Sequence, residues 1–352
     1  MKRLYRQMND ATKLRISQKL KGRSMTDSHK QAISNGMKAY WLTIPNKPNE
    51  NNENKNVKTM RRVCKRKVML DALTVCFEVT NRYYYDHICE LEYGEIYDLF
   101  EFQLLRVEGR YYNNVYSIIY MDGENLIEFG QLKFNIGKVG ASNLHDNGNP
   151  KVWISLNNRS LYTDDQFNLG FIATKLGLDP HNVTTMDLCL DTPFNVSKSL
   201  RQLIRDKSII TILNGTKVKD RDEDRPEITY TNSGSLNKDK YMTVNVKQRN
   251  AMKDKSRGVT MTTYDKQAEI RNSSGKDYIL DFYGNPSKLY RTEVHLNNSE
   301  IRDYLDGRGL YLNYYMFDEA LLEDMFFYHL NSVVRFKNGK QDILWEQLLG
   351  RA

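Results

Sequence analysis

The chain has 352 residues, of which 40% are apolar and 27% are charged, and its formal net charge is +8. No apolar run approaches the roughly 18–20 residues that cross a bilayer, and the basic N-terminus lacks the apolar segment of a signal peptide. The four cysteines form no Cys-x-x-Cys pair, which argues against a structural zinc site and favours a reducing, cytoplasmic setting. The lack of a long apolar run predicts no membrane partner.

The positive charge is concentrated at the N-terminus. Residues 1–67 contain 18 of the 52 Lys and Arg residues and four of the 44 Asp and Glu residues, so this segment carries +14 and the remainder carries −6. The segment has no Trp/Phe/Leu face of the kind that inserts into a membrane surface. It therefore predicts binding to an anionic polymer, and nucleic acid fits best.

An internal repeat lies within this segment, with an offset of 17 residues between its two copies. Asp10, Lys13, Ile16, Ser17, Leu20 and Lys21 align with Asp27, Lys30, Ile33, Ser34, Met37 and Lys38. Each copy follows a residue that can cap a helix, so we predict two short helices that pack together through their apolar positions. A solvated, charged helix pair without a ligand is the alternative.

The stretch ISQKLKGRSMTDSHKQAISNGMKAYW, residues 16–41, resembles the nuclease-associated modular DNA-binding repeat found in homing-type endonucleases and other mobile-element proteins. The resemblance implies DNA binding with little sequence preference. We place this module at 1–44 and a basic, flexible linker at 45–67, since 45–56 is rich in Asn and Pro. The predicted DNA-contacting residues are Lys13, Arg15, Lys21, Arg23, Lys30, Lys38, Arg61, Arg62, Lys65 and Arg66.

From Val68 onward the pattern changes to alternating β-rich segments. Strands are predicted at 68–80, 116–121, 126–137, 151–157, 184–191, 241–248, 259–264 and 289–296, and helices at 93–105, 163–177, 197–208 and 317–336. Because strands and helices do not alternate one to one, we predict an α+β fold with a mixed or antiparallel sheet and helices on one face. The main domain is predicted at 68–310, with a helical segment at 311–352 packing on it.

Two predicted strands carry charged residues on one face. In TTMDLCLD, alternation places Asp187, Cys189 and Asp191 together, and in YRTEVHL it places Arg291, Glu293 and His295 together. Four residues of strand separate the two aspartates by roughly 13 Å, so both cannot bind one Mg²⁺ ion directly unless the strand bends. The structural alternatives are a turn aspartate and ordinary cross-strand ion pairs.

The segment MTTYDKQAE places Tyr264 at the end of a strand, two residues before Lys266. A tyrosine there can simply pack the strand end. If it reacts, its phenol has an ordinary pKa near 10 and requires a neighbouring group to activate it. No Walker loop, Gly-rich dinucleotide loop or Ser-His-Asp arrangement is present in the sequence.

The order of LDALTVCF, KVWISLNNRSLY, VTTMDLCLD, MTTYDKQAE and YRTEVHL over residues 68–300 resembles the replication initiation factor family. That family contains rolling-circle initiators of plasmids and related relaxases of conjugative elements. The resemblance implies that 68–310 is a catalytic domain in which Tyr264 attacks a phosphodiester to give a 5′-phosphotyrosine. It also implies Mg²⁺ or Mn²⁺ bound by Glu293 with Asp187 or Asp191, Lys266 stabilising charge, and Arg291 clamping a phosphate.

Two other functions fit the same sequence. A metal-dependent endonuclease would use water in place of Tyr264, and a DNA-binding regulator would use only the basic segment. DNA with a single-stranded nick site is the predicted main partner, and a host helicase and a second copy of the chain are further candidates.

Overall fold

The computed structural model describes residues 67–99, 101–122, 125–135, 148–162, 169–218, 225–232, 242–254, 257–310 and 318–350. The predicted repeats at 1–44, nearly all of the linker, and the ten basic residues predicted to contact DNA lie outside these ranges. The described residues from Lys67 to Ile119 and from Glu128 onward belong to one compact unit, and the candidate site lies in this unit.

The described residues form fifteen strands in two sheets. In chain order they are β1 (Met69–Val79), β2 (Ile96–Leu99), β3 (Phe102–Val107), β4 (Asn114–Asp122), β5 (Asn125–Phe134), β6 (Lys151–Leu156), β7 (Leu178–Thr192), β8 (Ile209–Leu213), β9 (Thr216–Lys217), β10 (Ile228–Asn232), β11 (Met242–Lys247), β12 (Thr260–Asp265), β13 (Tyr290–Asn297), β14 (Val334–Asn338) and β15 (Gln341–Ile343). The main sheet has the order β10-β11-β12-β13-β7-β1-β6-β5-β4-β3-β2, and the small sheet has the order β15-β14-β8-β9. The central pairs, from β10 through β13, β7, β1 and β6 to β5, are antiparallel.

The helices among the described residues are α1 (Arg82–Cys89), α2 (Leu169–Leu176), α3 (Val196–Arg205), α4 (Arg249–Lys253), α5 (Lys266–Glu269), α6 (Asp277–Phe282), α7 (Asn298–Asp306), α8 (Glu319–Val333) and α9 (Trp345–Leu348). The two longest begin at side-chain caps, because Asn195 accepts a hydrogen bond from the Lys198 amide and Asp318 accepts one from the Leu321 amide. Gly177, with φ of +65°, ends α2 as predicted. The α+β fold is confirmed.

The two faces of the main sheet differ in polarity. Alternation directs Leu188, Leu190, Met261 and Val294 to one face, where each is fully buried. Helices α3 and α8 contact the strands β12 and β13, and the Ser197 hydroxyl of α3 lies 2.9 Å from that of Thr263 on the same face as Met261. The opposite face is polar over most of its area, so the main core lies on the helix-covered side.

A second, smaller core covers one end of the polar face. It is formed by Met69, Tyr162, Cys189, Ile270, Ile279, Leu280, Tyr283 and Leu289. These residues come from the ends of β1 and β7, a 3₁₀ turn (Asn158–Tyr162), a wide helical turn (Ile270–Ser274), α6 and the loop before β13. The second core therefore covers the polar face at this end of β7 and β13, and the face is open farther along the same strands.

One secondary-structure prediction was wrong and two were wrong in part. Residues 93–105, predicted as a helix, form the hairpin of β2 and β3, because Phe102 and Leu104 alternate into the core as strand residues. The predicted helix at 317–336 ends at Val333, and the chain continues into β14 and β15, so the segment 311–352 is helical only in part. β7 begins at Leu178, six residues before the predicted strand.

Among the described residues, no helix combines the length and the apolar composition that a membrane span requires.

Candidate active site

The predicted site residues meet on three neighbouring strands of the polar face. In the register of β12, β13 and β7, Tyr264 pairs with Arg291, which pairs with Asp191. Two residues along, Glu293 pairs with Cys189, and two further along His295 pairs with Asp187. Directly opposed residues of antiparallel strands share a face, so the predicted face assignments are confirmed.

Arg291 is fully buried at the covered end of this face. Its Nε donates to Asp191 Oδ1 over 2.8 Å and its Nη2 to Asp191 Oδ2 over 2.6 Å. Nη1 donates to Asp71 and Nη2 also donates to the Tyr162 hydroxyl. Although burial opposes the charged form, the Asp191 carboxylate and the other acceptors raise the pKa of Arg291 well above its usual value. The guanidinium is thus committed to protein groups, and its predicted role as a phosphate clamp does not fit this geometry.

Asp71 reaches this cluster through an irregularity in β1. The pairing of β1 with β7 shifts between Leu70 and Ala72, leaving Asp71 as an extra residue that bends the strand. Its carboxylate accepts hydrogen bonds from the Tyr162 hydroxyl and the Asn158 amide as well as from Arg291. Burial opposes its ionisation, but the positive charges of Arg291 and Lys266 outweigh burial and hold the pKa of Asp71 well below its usual range. The cluster therefore joins β1, β7, β13 and the 3₁₀ turn.

Tyr264 lies at the boundary between the covered and the open face. Its hydroxyl donates to Glu293 Oε2 over 3.0 Å, and Lys266 Nζ approaches the same hydroxyl at 3.4 Å. Burial raises the pKa of Tyr264 well above its ordinary value, and the neighbouring Glu293 raises it further. Burial also raises the pKa of Glu293. The phenol is therefore protonated at neutral pH and bonded to a carboxylate that can accept its proton.

Lys266 is held in place by the short helix that follows β12. Asp265 caps α5 by accepting from the Ala268 amide, and the buried Lys266 ammonium lies 2.9 Å from Glu269 Oε2. Lys266 begins this helix, and its side chain reaches back to the phenol of Tyr264.

His295 and Asp187 form a separate pair farther along the open face. His295 Nδ1 is hydrogen-bonded to Asp187 Oδ1, and this bond raises the pKa of His295. Both side chains are partly exposed, at 39% and 22%. Asp187 is thus paired with a histidine, and Asp191 with a buried arginine.

The predicted metal ligands are not brought together. Asp191 is bonded to Arg291, Asp187 to His295 and Glu293 to Tyr264, so each carboxylate has a different protein partner. Among the residues that the structure describes, no group of three or more His, Cys, Asp or Glu side chains could hold a metal ion. The strand spacing separates the two aspartates as expected, and Glu293 lies diagonal to both because it pairs with Cys189. The Mg²⁺ or Mn²⁺ ion that Glu293 would bind with one of them stays a prediction.

Two members of the buried cluster, Asp71 and Tyr162, were not predicted. Asp71 is the single charged residue of the apolar stretch MLDALTVCF. A lone charge in an apolar strand could have marked it as a candidate site residue. Tyr162 carries no comparable signal among 23 tyrosines.

No family model and no curated protein matches this chain.

Proposed function

We propose that the protein is a DNA-nicking and joining enzyme that uses Tyr264 as its nucleophile. The observation that carries the proposal is the phenol of Tyr264, bonded to the Glu293 carboxylate and approached by the Lys266 ammonium at the edge of an open, polar sheet face. A nucleophile with an adjacent proton acceptor and an adjacent cation is the arrangement that phosphoryl transfer requires. The resemblance to rolling-circle initiators and relaxases supports the same assignment.

In the proposed reaction the Tyr264 oxygen attacks the phosphorus of a DNA phosphodiester while Glu293 takes the phenolic proton. The bond from phosphorus to the 3′ oxygen breaks, and that oxygen takes a proton from solvent. The products are a 5′-phosphotyrosine and a free 3′ hydroxyl. Lys266 stabilises the negative charge that accumulates on the phosphoryl oxygens. Attack of a 3′ hydroxyl on the phosphotyrosine reverses the step and joins the strand.

The buried cluster around Arg291 supports this site without contacting DNA. It holds β7 and β13 together beside the row that contains Tyr264. Because Arg291 lies directly opposite Tyr264, the cluster fixes β13, the strand that pairs with the β12 strand of the nucleophile. We assign Asp71, Asp191 and Arg291 a positioning role in the proposed enzyme.

A DNA-binding regulator is the second candidate, favoured by the +14 charge of residues 1–67. Incubation with supercoiled plasmid separates the two functions. The proposed enzyme converts supercoiled plasmid to relaxed circles and leaves protein linked to the 5′ end. A regulator binds the plasmid and leaves it supercoiled.

Replacement of Glu293 by glutamine is expected to reduce nicking of a single-stranded oligonucleotide by about 10²–10⁴-fold. Glutamine preserves the side-chain shape but cannot take the phenolic proton. The matched control is Glu108→Gln, which neutralises an exposed carboxylate outside the site. Nicking rates at saturating oligonucleotide check this, and equal rates for the Glu293 variant and the control would remove Glu293 from the mechanism.

Deletion of residues 1–56 is expected to weaken DNA binding and to flatten its dependence on salt. Each lost phosphate contact lowers the slope of log K against log salt by about 0.9 for duplex DNA. Nicking of a saturating oligonucleotide is expected to survive, because Tyr264, Lys266 and Glu293 all lie beyond the deletion. A folded truncation that cannot nick would show that the basic segment belongs to the active site.

A further inference from the structure

The open part of the polar face continues away from Tyr264 across β7, β1, β6 and β5. Beyond the row of His295 and Asp187, the strands present half-buried side chains, with Thr74 on β1 and Ser155 on β6. The hydroxyls of these two residues lie 2.9 Å apart. The face thus carries polar side chains at the centre of β1 and β6.

An aromatic residue interrupts this polar surface. Trp153 of β6 pairs with Cys76 of β1 on one side and with Lys133 of β5 on the other, so its indole projects from the open face and is only half-buried. The ring of Tyr112 lies 6.0 Å from that of Trp153, at an interplanar angle of 46°. Tyr112 also lines a cleft of about 650 Å³ with Arg110 and the exposed Tyr111.

Lys133 supplies a positive charge next to this aromatic pair. Its ammonium is half-buried and donates to the Ser155 hydroxyl over 3.1 Å. Among the described residues, this neutral hydroxyl is the hydrogen-bond partner of Lys133, and no Asp or Glu side chain forms an ion pair with its ammonium. Burial lowers the pKa of Lys133, with no compensating charge. A half-buried cation of this kind is complementary to an anionic ligand.

We propose that Trp153, Tyr112 and Lys133 form a subsite for single-stranded DNA, in which an unpaired base stacks on Trp153 and its phosphate contacts Lys133. The inference rests on the proposed function, because the strand would run from the scissile phosphate at Tyr264 to this subsite. Four strand spacings and the nine residues of β7 from Asp191 to Asn182 separate Tyr264 from Trp153, which is roughly 35 Å and spans several nucleotides. An indole on a sheet face can stack only on a base that is not paired and stacked in a duplex.

The test measures binding of the full-length protein to a thymidine oligonucleotide of about 12 nucleotides and to an abasic strand of the same length. Trp153→Ala is expected to weaken binding to the thymidine strand about tenfold and to leave abasic binding unchanged. Trp153→Phe is expected to retain most of the affinity. Tyr328→Ala, which removes an exposed aromatic ring from α8, is the matched control and is expected to bind as the wild type.

The role of the Lys133 charge is tested separately. Lys133→Met is expected to lower the slope of log K against log salt by about 0.7 on both strands, whereas Lys217→Met, an exposed lysine of the small sheet, lowers neither. Wild-type affinity in Trp153→Ala, or an unchanged slope in Lys133→Met, overturns the subsite. If Trp153→Ala does not fold, an unchanged slope in Lys133→Met decides against the subsite by itself.

Plasmid nicking by the wild type is scored independently of these binding measurements. Impaired strand binding in the variants, together with no nicking by the wild type, supports the subsite and refutes the proposed enzyme. Nicking by the wild type, together with unaltered strand binding in the variants, refutes the subsite alone.

Discussion

The Tyr264→Phe variant is expected to form no covalent adduct with DNA and to nick at least about a thousandfold more slowly than the wild type. Only the phenolic oxygen is removed, and the aromatic ring still packs against the neighbouring side chains. Binding to duplex DNA is expected to stay within about twofold, because the charge of the protein is unchanged. Gel electrophoresis of a 5′-labelled and a 3′-labelled strand, run in denaturant, measures adduct and nick together.

Tyr290→Phe is the matched control for this prediction. Tyr290 lies on β13 directly before Arg291, so alternation directs its side chain to the opposite face of the sheet. The control is expected to nick at the wild-type rate. An adduct that persists in Tyr264→Phe and disappears in Tyr290→Phe would transfer the nucleophilic role to Tyr290.

The Arg291→Met variant is expected to lose about 3–5 kcal/mol of unfolding free energy. Methionine fills much of the space but leaves the Asp191 and Asp71 carboxylates buried without their cation. Removing one partner of a buried ion pair costs far more than the pair contributes, since the remaining charge is not solvated. Urea unfolding followed by circular dichroism gives the free energy.

Lys337→Met is the control, because Lys337 forms an ion pair with Asp342 in which both side chains are substantially exposed. Its expected cost is below about 1 kcal/mol, since water screens the pair. Equal losses in the two variants would show that the Arg291 cluster does not hold the sheet together. A loss confined to Arg291→Met supports its positioning role.

The candidate site could be predicted from sequence where it depends on strand periodicity. Asp187 and Asp191 were assigned to one face of their strand, and Arg291 and Glu293 to one face of theirs, because alternation is a local property of any strand. The sequence could also predict that the two aspartates are too far apart to share a metal ion. It could not predict the protein partner that each carboxylate has.

The missed contacts depend on residues that are distant along the chain. Asp71 and Arg291 are separated by 220 residues, and their contact requires both the strand order and the extra residue in β1. The hairpin at 93–105 was missed for a related reason, because its apolar spacing fits a helix as well as two short strands. The pairing of β2 with β3 in the folded protein selects the two strands over the helix.

The most direct measurement locates the protein residue that becomes linked to DNA. Wild-type protein is incubated with a single-stranded oligonucleotide that it nicks, digested with protease and nuclease, and analysed by tandem mass spectrometry. We predict a phosphonucleotide on Tyr264, attached through the 5′ end of the cleaved strand. Attachment to any other residue, or cleavage that leaves a free 5′ phosphate and no linked peptide, would contradict Tyr264 as the nucleophile.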